Sequence, residues 1–178
     1  RDELNICKQF LEHLREKFPK AQIIYYEGNH EIRLNRYIFQ HAPALFGIET
    51  ITLSTLLEFH KTNVQFVDNG TGLKVGALHL LHGNEAGCRG GINIARTMLL
   101  KTNDNCAFGN FHKTQSHSGR NLDGGEFVNF AIGCLCGLKP RYLPINSWNL
   151  GFATVELFKN EFDFQNKRIL ANYNVRSN

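Results

Sequence analysis

Residues 21–31 have the sequence Ala-Gln-Ile-Ile-Tyr-Tyr-Glu-Gly-Asn-His-Glu. The β-branched and aromatic run that ends at Tyr26 predicts a short, largely buried strand, and Gly28 allows the chain to turn sharply after it. Upstream, the apolar residues of 4–18 have the i, i+3, i+4, i+7 spacing of a helix with one buried face, and Pro19 ends that helix. A helix followed by a buried strand indicates an α/β fold.

The rest of the sequence continues this alternation of helices and strands. We predict helices at 32–40 and 92–101, and a third that opens with the capping-box pattern at Thr55. The Asp, Asn and Gly residues of 68–72 favour a hairpin turn, which would join strands at 64–67 and 73–81. Further strands are predicted at 106–108, 127–134, 152–158 and 162–175, with a turn at Lys159 and Asn160. No repeat or linker divides the sequence, so we expect one mixed α/β domain over residues 1–178.

Composition narrows the class of protein. Hydrophobic residues make up 42% and charged residues 20% of the 178 residues, as in folded globular proteins. The apolar stretches are far shorter than the ~20 residues that cross a bilayer. Five scattered cysteines argue against a disulfide framework and for the cytoplasm, and the net charge of +4 slightly favours anionic partners. Residues 1–4 lack an initiator Met and a secretory signal, so we expect the chain to be trimmed.

Three predicted strands end in a Gly beside His or Asn. The segments are 27–31 (Glu-Gly-Asn-His-Glu), 81–84 (Leu-His-Gly-Asn) and 108–112 (Phe-Gly-Asn-Phe-His). In α/β sheets, ligands bind in the crevice at the carboxyl ends of the strands, where Gly lets the backbone aim the next side chains inward. Imidazole nitrogen and amide oxygen suit Mn, Fe or Zn, so the pattern predicts a metal site.

These segments resemble the motifs of the calcineurin-like metallophosphoesterases, whose blocks run D-x-H, G-D-x-x-D, G-N-H-D/E, H and G-H-x-H. Residues 28–31 match the third block in full, His82 is similar to the fourth, and residues 109–112 to the fifth. The resemblance covers nearly the whole chain and is greatest to short single-domain bacterial and bacteriophage versions. It implies two mixed β-sheets sandwiched between helices.

The resemblance also implies roles for individual residues. The metal ligands would be Asn29, His82, Asn110 and His112, which together hold two divalent ions (Mn, Fe or Zn). Such a pair lowers the pKa of a bridging water and clamps the phosphoryl oxygens. His30 would be catalytic, stabilising or protonating the departing oxygen, because a near-neutral pKa suits a general acid. Glu31 would orient the imidazole or a ligand.

Two features depart from the family pattern. The D-x-H and G-D-x-x-D blocks are absent, so we expect them, with the N-terminal strands of the fold, upstream of Arg1. Asn110 stands where the family has the first His of G-H-x-H, and an amide oxygen is a weaker donor than imidazole for a borderline metal. A weakened second metal site is therefore expected. Natural divergence and an engineered inactivating change would both account for this Asn.

Other residues are candidates for substrate or metal binding. Arg89, Arg96 and the glycines of 87–91 precede or open a helix whose free N–H groups and dipole favour an anion, although solvated arginines in a flexible loop would give the same pattern. Arg33 and Lys113 lie close to the motifs and are further candidates for binding substrate. His79 is expected to be an ordinary hydrogen-bonded histidine. A rival closed zinc site would use His112, His117, Cys134 and Cys136, although Cys-x-Cys matches zinc-ribbon spacing poorly.

The sequence therefore predicts a metal-dependent phosphoesterase. Family analogy and the basic charge favour a phosphodiesterase or nuclease, with nucleic acid or nucleotide among its substrates. No membrane partner is expected, and no oligomeric state is predicted. The alternative is a non-catalytic module that binds phosphate or nucleotide beside a degenerate metal site.

Overall fold

The computed structural model describes residues 2–88, 90–159 and 161–177. The chain divides into two compact units, Arg1–Thr71 and Gly72–Asn178, called here the first and second units. Each combines helices with parallel strand pairs, which confirms the α/β class. Among the described residues, no helix has the length and apolar character needed to cross a bilayer. That residues 1–178 behave as one domain stays a prediction.

The first unit is a two-stranded parallel sheet with helices. Its elements are α1 (Asp2–Lys17), β1 (Ile23–Tyr26), α2 (Ile32–His41), two 3-10 turns (Pro43–Leu45 and Glu49–Ile51), α3 (Leu53–Leu56), α4 (Phe59–Thr62) and β2 (Val64–Val67). Leu11 of α1 packs with Leu57, Phe59 and Val64 in one buried cluster. The helices predicted at 4–18 and 32–40 are therefore confirmed, as is the strand that ends at Tyr26.

In its described residues, the second unit contains two sheets and one helix. Its elements are β3 (Leu73–Val75), β4 (Leu78–Leu81), α5 (Ile94–Thr102), β5 (Cys106–Phe108), β6 (Gln115–Arg120), β7 (Glu126–Ala131), β8 (Gly151–Leu157), β9 (Phe162–Ile169) and β10 (Val175–Ser177). The five-stranded mixed sheet has the order β3-β4-β5-β7-β6, and its three central strands are parallel. The other sheet, β10-β9-β8, is antiparallel.

Strand β7 shows how these layers pack. Side chains alternate between the faces of a strand. Ala131 packs with Ile94 and Met98 of α5 on one face, whereas Phe130 points to the other and stacks on Phe164 of β9, with ring centroids 4.1 Å apart. The two sheets therefore lie face to face with a helix outside them, as the predicted sandwich requires.

The predicted hairpin at 68–72 is wrong. β2 pairs in parallel with β1, and the hairpin partner of β4 is β3. A cluster of turn residues signals a change of direction, but it does not say which strands pair. The predicted strand at 73–81 is instead broken at Gly76, whose φ of 59° supplies the positive angle that a two-residue hairpin loop requires.

The helix predicted to open at Thr55 begins earlier. Thr52 is the N-cap of α3, and its hydroxyl oxygen accepts a hydrogen bond from the Thr55 N–H at 3.3 Å. Thr55 lies inside the helix and donates its own hydroxyl to the Glu49 carbonyl at 2.7 Å. Glu58 has a φ of 55° and precedes α4 rather than completing a capping box. The hydroxyls of both threonines donate to the Glu49 carbonyl, and only that of Thr52 accepts a backbone N–H at the start of the helix.

Strand boundaries late in the chain also differ from those predicted. The polar strand β6 was missed, and the predicted strand at 127–134 ends at Ala131. The predicted strand at 162–175 is two strands, β9 and β10, separated by a turn in which Tyr173 has a φ of 60°. At the predicted turn of 159–160, Asn160 lies outside the described residues, and the Phe158 N–H donates to the Glu161 carbonyl at 2.9 Å.

Candidate metal centre

Three parallel strands of the second unit end side by side. In the register of the sheet, Leu81 of β4 lies opposite Phe108 of β5, which lies opposite Ala131 of β7. The residues that follow these ends are therefore brought to one edge. His82 follows β4, and Asn110 follows β5 after a single Gly. This is the arrangement that the sequence predicted for the second and third segments.

The loops that carry His82 and Asn110 are in contact. Gly83 has a φ of 117°, and a Cβ placed there would lie 3.2 Å from the Asn110 Cβ and 3.2 Å from the Gly109 carbonyl oxygen. A Cβ on Gly109 would in turn lie 3.5 Å from the His82 carbonyl oxygen. Only a residue without a side chain allows this approach at position 83. The two motifs therefore meet because Gly83 leaves space for Asn110.

Glu85 holds the His82 loop in place. Its carboxylate accepts the His82 N–H at 2.8 Å through Oε1 and the Gly83 N–H at 2.6 Å through Oε2. Hydrogen bonds to a charged carboxylate are stronger than those between neutral groups, so this pair fixes the backbone from which the His82 side chain extends. Sequence reasoning missed Glu85, although a carboxylate two or three residues after a Gly turn is a recognisable signal for N–H binding.

His112 lies in an unusual backbone conformation. Asn110 and His112 have φ angles of 60° and 59°. Non-glycine residues seldom adopt such angles, and the residues that do so concentrate at functional sites. The His112 ring contacts Trp148 edge-on, with ring centroids 4.1 Å apart, and its carbonyl accepts the Asn149 N–H at 2.9 Å. The loop after β5 is therefore held at His112 by a ring contact with Trp148 and by a backbone hydrogen bond from Asn149.

His112 also meets two thiols. The donor atoms of His112, Cys134 and Cys136 all lie within 4.8 Å of one another, and His112 Nδ1 is 3.7 Å from Cys136 Sγ. Although Cys136 is an exposed residue, partial desolvation of its sulfur raises its pKa to about 11, and the neighbouring Cys134 thiol adds to the shift. Three residues of the rival four-residue zinc site are thus close enough to share one ion. His117, on β6, is not among the grouped residues.

The motif of the first unit follows β1. His30 is exposed, and its Nε2 lies 3.4 Å from Arg33 Nη2. The Tyr25 hydroxyl donates to Glu31 Oε1 at 2.9 Å, and burial together with this carboxylate raises the pKa of Tyr25. Glu31 thus orients the end of β1. Whether Asn29 shares an ion with ligands of the second unit stays a prediction.

Glu27 is a further residue that sequence reasoning missed. It is only 8% exposed, and its Oε2 accepts the Asn69 N–H at 3.1 Å, while the Asn69 side chain donates to the Glu27 carbonyl at 3.0 Å. A buried carboxylate needs such partners. This pair ties the segment before Asn29 to the loop after β2, and a lone Glu at a strand end carried no signal for it.

The candidate substrate-binding residues are dispersed. Lys113 and Asn110 line a cavity of about 460 Å³ together with Trp148. The Lys113 ammonium group donates to the carbonyl oxygens of Gly91 and, at 3.3 Å, Ile92. This ammonium group is therefore anchored to the segment before α5, in the cavity that Asn110 also lines.

The start of α5 is occupied by a side chain. Gln115 Oε1 accepts the N–H groups of Ile94 at 2.8 Å and Ala95 at 3.4 Å, which were expected to face an anion. Arg96 lies exposed and lines a different pocket of about 220 Å³ with His117. Arg89 lies outside the described residues.

His79 makes a pair away from these loops. Its Nε2 lies 3.2 Å from Asp104 Oδ2. This agrees with the expectation of an ordinary hydrogen-bonded histidine.

Comparisons with known proteins matched solved structures only. No protein-family model matches the chain, and no curated protein matches it. Solved structures of Vps29 resemble it. A single mutant of Vps29 from Entamoeba histolytica is 13% identical with a TM-score of 0.46, over 96% of this chain and 87% of that one.

Two other Vps29 structures give similar values. Wild-type Vps29 from the same organism, complexed with zinc, is 12% identical with a TM-score of 0.44, over 68% of this chain and 72% of that one. Vps29 from Chaetomium thermophilum is 10% identical with a TM-score of 0.43, over 89% and 96%.

Proposed function

We propose that this chain acts as a metal-dependent phosphoesterase of the calcineurin-like type. The observation that carries the proposal is the contact between the loops of His82 and Asn110 at the carboxyl edge of the parallel strands, made possible by Gly83. The motif order in the sequence supports it. Phosphodiesters, including nucleotides and nucleic acid, are the substrate class, and the cytoplasm is the compartment.

The donors at these loops fit divalent metal ions. Imidazole and amide groups at His82 and Asn110 suit Mn, Fe or Zn, and the bare Gly83 lets the second approach the first. Asn29 and His112 complete the proposed ligand set. When bound, such ions supply Lewis-acid activation of water and neutralise the charge of the phosphoryl group.

The remaining residues act on the substrate itself. His30 would donate a proton to the departing oxygen, and its exposed imidazole is accessible to a ligand. Arg33, whose guanidinium lies beside that imidazole, would bind a phosphate oxygen. Lys113 would contribute positive charge at the cavity shared with Asn110.

The proposed role of His30 predicts a loss of turnover without a loss of folding. His30→Ala should lower the Mn²⁺-dependent cleavage of a chromogenic phosphodiester by about 10²–10⁴-fold, the usual contribution of a general acid. His60→Ala, which removes another exposed histidine of the first unit, is the matched control and should keep full activity. Equal rates for both variants would refute the role of His30.

Because Asn110 has an amide where the family motif has a histidine, we expect an imidazole at this position to improve metal binding or turnover. Asn110→His should raise Mn²⁺ affinity or turnover, because imidazole is the better donor and His tolerates the left-handed backbone. Asn103→His makes the same change at another left-handed Asn, at the end of α5, and should alter neither quantity. If metal titration and rates are unchanged in Asn110→His, this residue is not a ligand.

A second candidate function is a non-catalytic module that binds phosphate or nucleotide. The cavity beside Lys113 and the weak amide donor at Asn110 favour it. Such a module should bind nucleotides in equilibrium dialysis yet show no turnover with any divalent metal. Hydrolysis that is lost on His30→Ala would exclude it.

A further inference from the structure

The imidazole and the two thiols grouped at His112, Cys134 and Cys136 have the spacing of metal ligands. Zinc bonds of about 2.3 Å to sulfur and about 2.0–2.1 Å to nitrogen, at tetrahedral angles, place neighbouring donors roughly 3.6–3.8 Å apart. His112 Nδ1 and Cys136 Sγ are 3.7 Å apart, and the three donor atoms lie within 4.8 Å of one another. The donor atoms would therefore need to approach one another by only about 1 Å to surround one zinc ion.

The backbone of Asn149 holds the elements that carry these donors. Its N–H donates to the His112 carbonyl at 2.9 Å, and its carbonyl accepts the Cys134 N–H at 2.9 Å. Its side chain bonds Thr114 twice, to the N–H at 2.7 Å and to the hydroxyl at 2.9 Å. The loop after β5 is thereby fixed to the segment after β7, so the donors are positioned before any ion binds.

Close packing at Gly133 reinforces this arrangement. A Cβ there would lie 2.7 Å from the Asn149 carbonyl oxygen, a distance that backbone atoms do not tolerate. Cys134 is buried and Cys136 is exposed, so the group has one dry side and one side open to solvent. Three protein donors with an open side are typical of zinc sites that keep a water or an exchangeable fourth ligand.

We propose that His112 Nδ1 and the thiolates of Cys134 and Cys136 bind a single zinc ion, with the fourth position open to solvent. Binding releases the two thiol protons to water. Thiolate ligands select a borderline-soft ion such as Zn²⁺ over Mn²⁺ or Mg²⁺. This site differs from the closed four-residue site suggested by the sequence. It goes beyond the proposed function and competes with it for His112 alone, because a neutral imidazole binds a single metal ion.

Cobalt is the probe that tests the thiolate ligands, because thiolate-to-cobalt charge transfer absorbs in the near ultraviolet and other donors do not give this band. The reduced full chain should bind one equivalent of Co²⁺ with this band, and Zn²⁺ should displace it. Cys136→Ser and Cys134→Ala should each abolish the band and weaken Zn²⁺ binding by more than about 100-fold. Cys7→Ser, at an exposed cysteine of the first unit, is the control and should retain both.

The outcomes separate this site from the phosphoesterase. His82→Ala should lose hydrolysis and keep the band unchanged. A band in the wild-type chain that persists in Cys136→Ser, or no band at all, would overturn the zinc site while leaving the phosphoesterase proposal standing. Absence of hydrolysis in a chain that shows the band and loses it in Cys136→Ser would overturn the proposed function and support the zinc site.

Discussion

At the scale of single residues, the missing side chain of Gly83 governs the candidate metal centre. Its φ of 117° is costly for other residues, and the Asn110 Cβ occupies the space that a side chain would need. The sequence indicated a turn at this position. It did not indicate that the turn would touch the loop after β5, because that contact joins residues 27 positions apart.

Gly83→Ala should therefore lose stability through both strain and crowding. We expect crowding to lower the free energy of unfolding by about 1–3 kcal/mol, in addition to the loss caused by backbone strain. Gly124→Ala is the matched control, since φ is 83° there and a Cβ would meet no described atom within 4 Å. Urea denaturation of both variants measures the difference. Equal losses would mean that the contact with Asn110 adds nothing.

Residue type was enough to predict the candidate metal ligands, but not the residues that hold their loops in place. The sequence selected His82, Asn110 and His112 because His and Asn are chemically distinctive ligands at strand ends. Glu85 and Asn149 were missed, because their roles depend on the backbone N–H and carbonyl groups that they meet. Those partners are set by loop conformation rather than by residue type.

At the scale of elements, the missed strand β6 explains the start of α5. Its sequence, Gln-Ser-His-Ser-Gly-Arg, lacks the β-branched and aromatic residues that signal strands. It forms by pairing with β7 at the edge of the sheet. Gln115, its first residue, then accepts N–H groups at the start of α5, so an unremarkable polar residue acts as a helix cap.

The link between α1 and α4 predicts a dependence of stability on pH. Glu58 lies 2.8 Å from Lys61 and 3.1 Å from Lys8 of α1, and hydrogen bonds from these lysines lower the pKa of its carboxyl group. A lowered folded-state pKa stabilises the fold above the unfolded value of 4.5, and this contribution is lost as the pH falls through the folded pKa.

Glu58→Gln should therefore lower the urea midpoint at neutral pH and leave it nearly unchanged in strongly acidic solution. Because the carboxylate is solvent-exposed, the difference at neutral pH should be small. Glu16→Gln, which removes the same charge at an exposed position of α1, is the matched control. A constant difference between Glu58→Gln and wild type at all pH values would mean that its charge is not involved.

At the scale of the whole molecule, metal binding should be visible as stability. An ion that binds only the folded chain stabilises it by about 2.7 kcal/mol at one hundred times its dissociation constant. Mn²⁺ should therefore raise the melting temperature of the wild-type chain, and a chelator should reverse the rise. His82→Ala should show a smaller rise, and an equal rise in both would exclude His82 as a ligand.

The amino-acid sequence by itself determined the α/β class, most helix and strand positions, and the chemistry of the strand-end segments. Those features follow from local periodicity, turn residues and side-chain type. Tertiary structure alone decided that β2 pairs with β1, and that His112 lies beside Cys134 and Cys136 but apart from His117. These outcomes join residues distant in sequence, and their free energies depend on packing that local patterns do not encode.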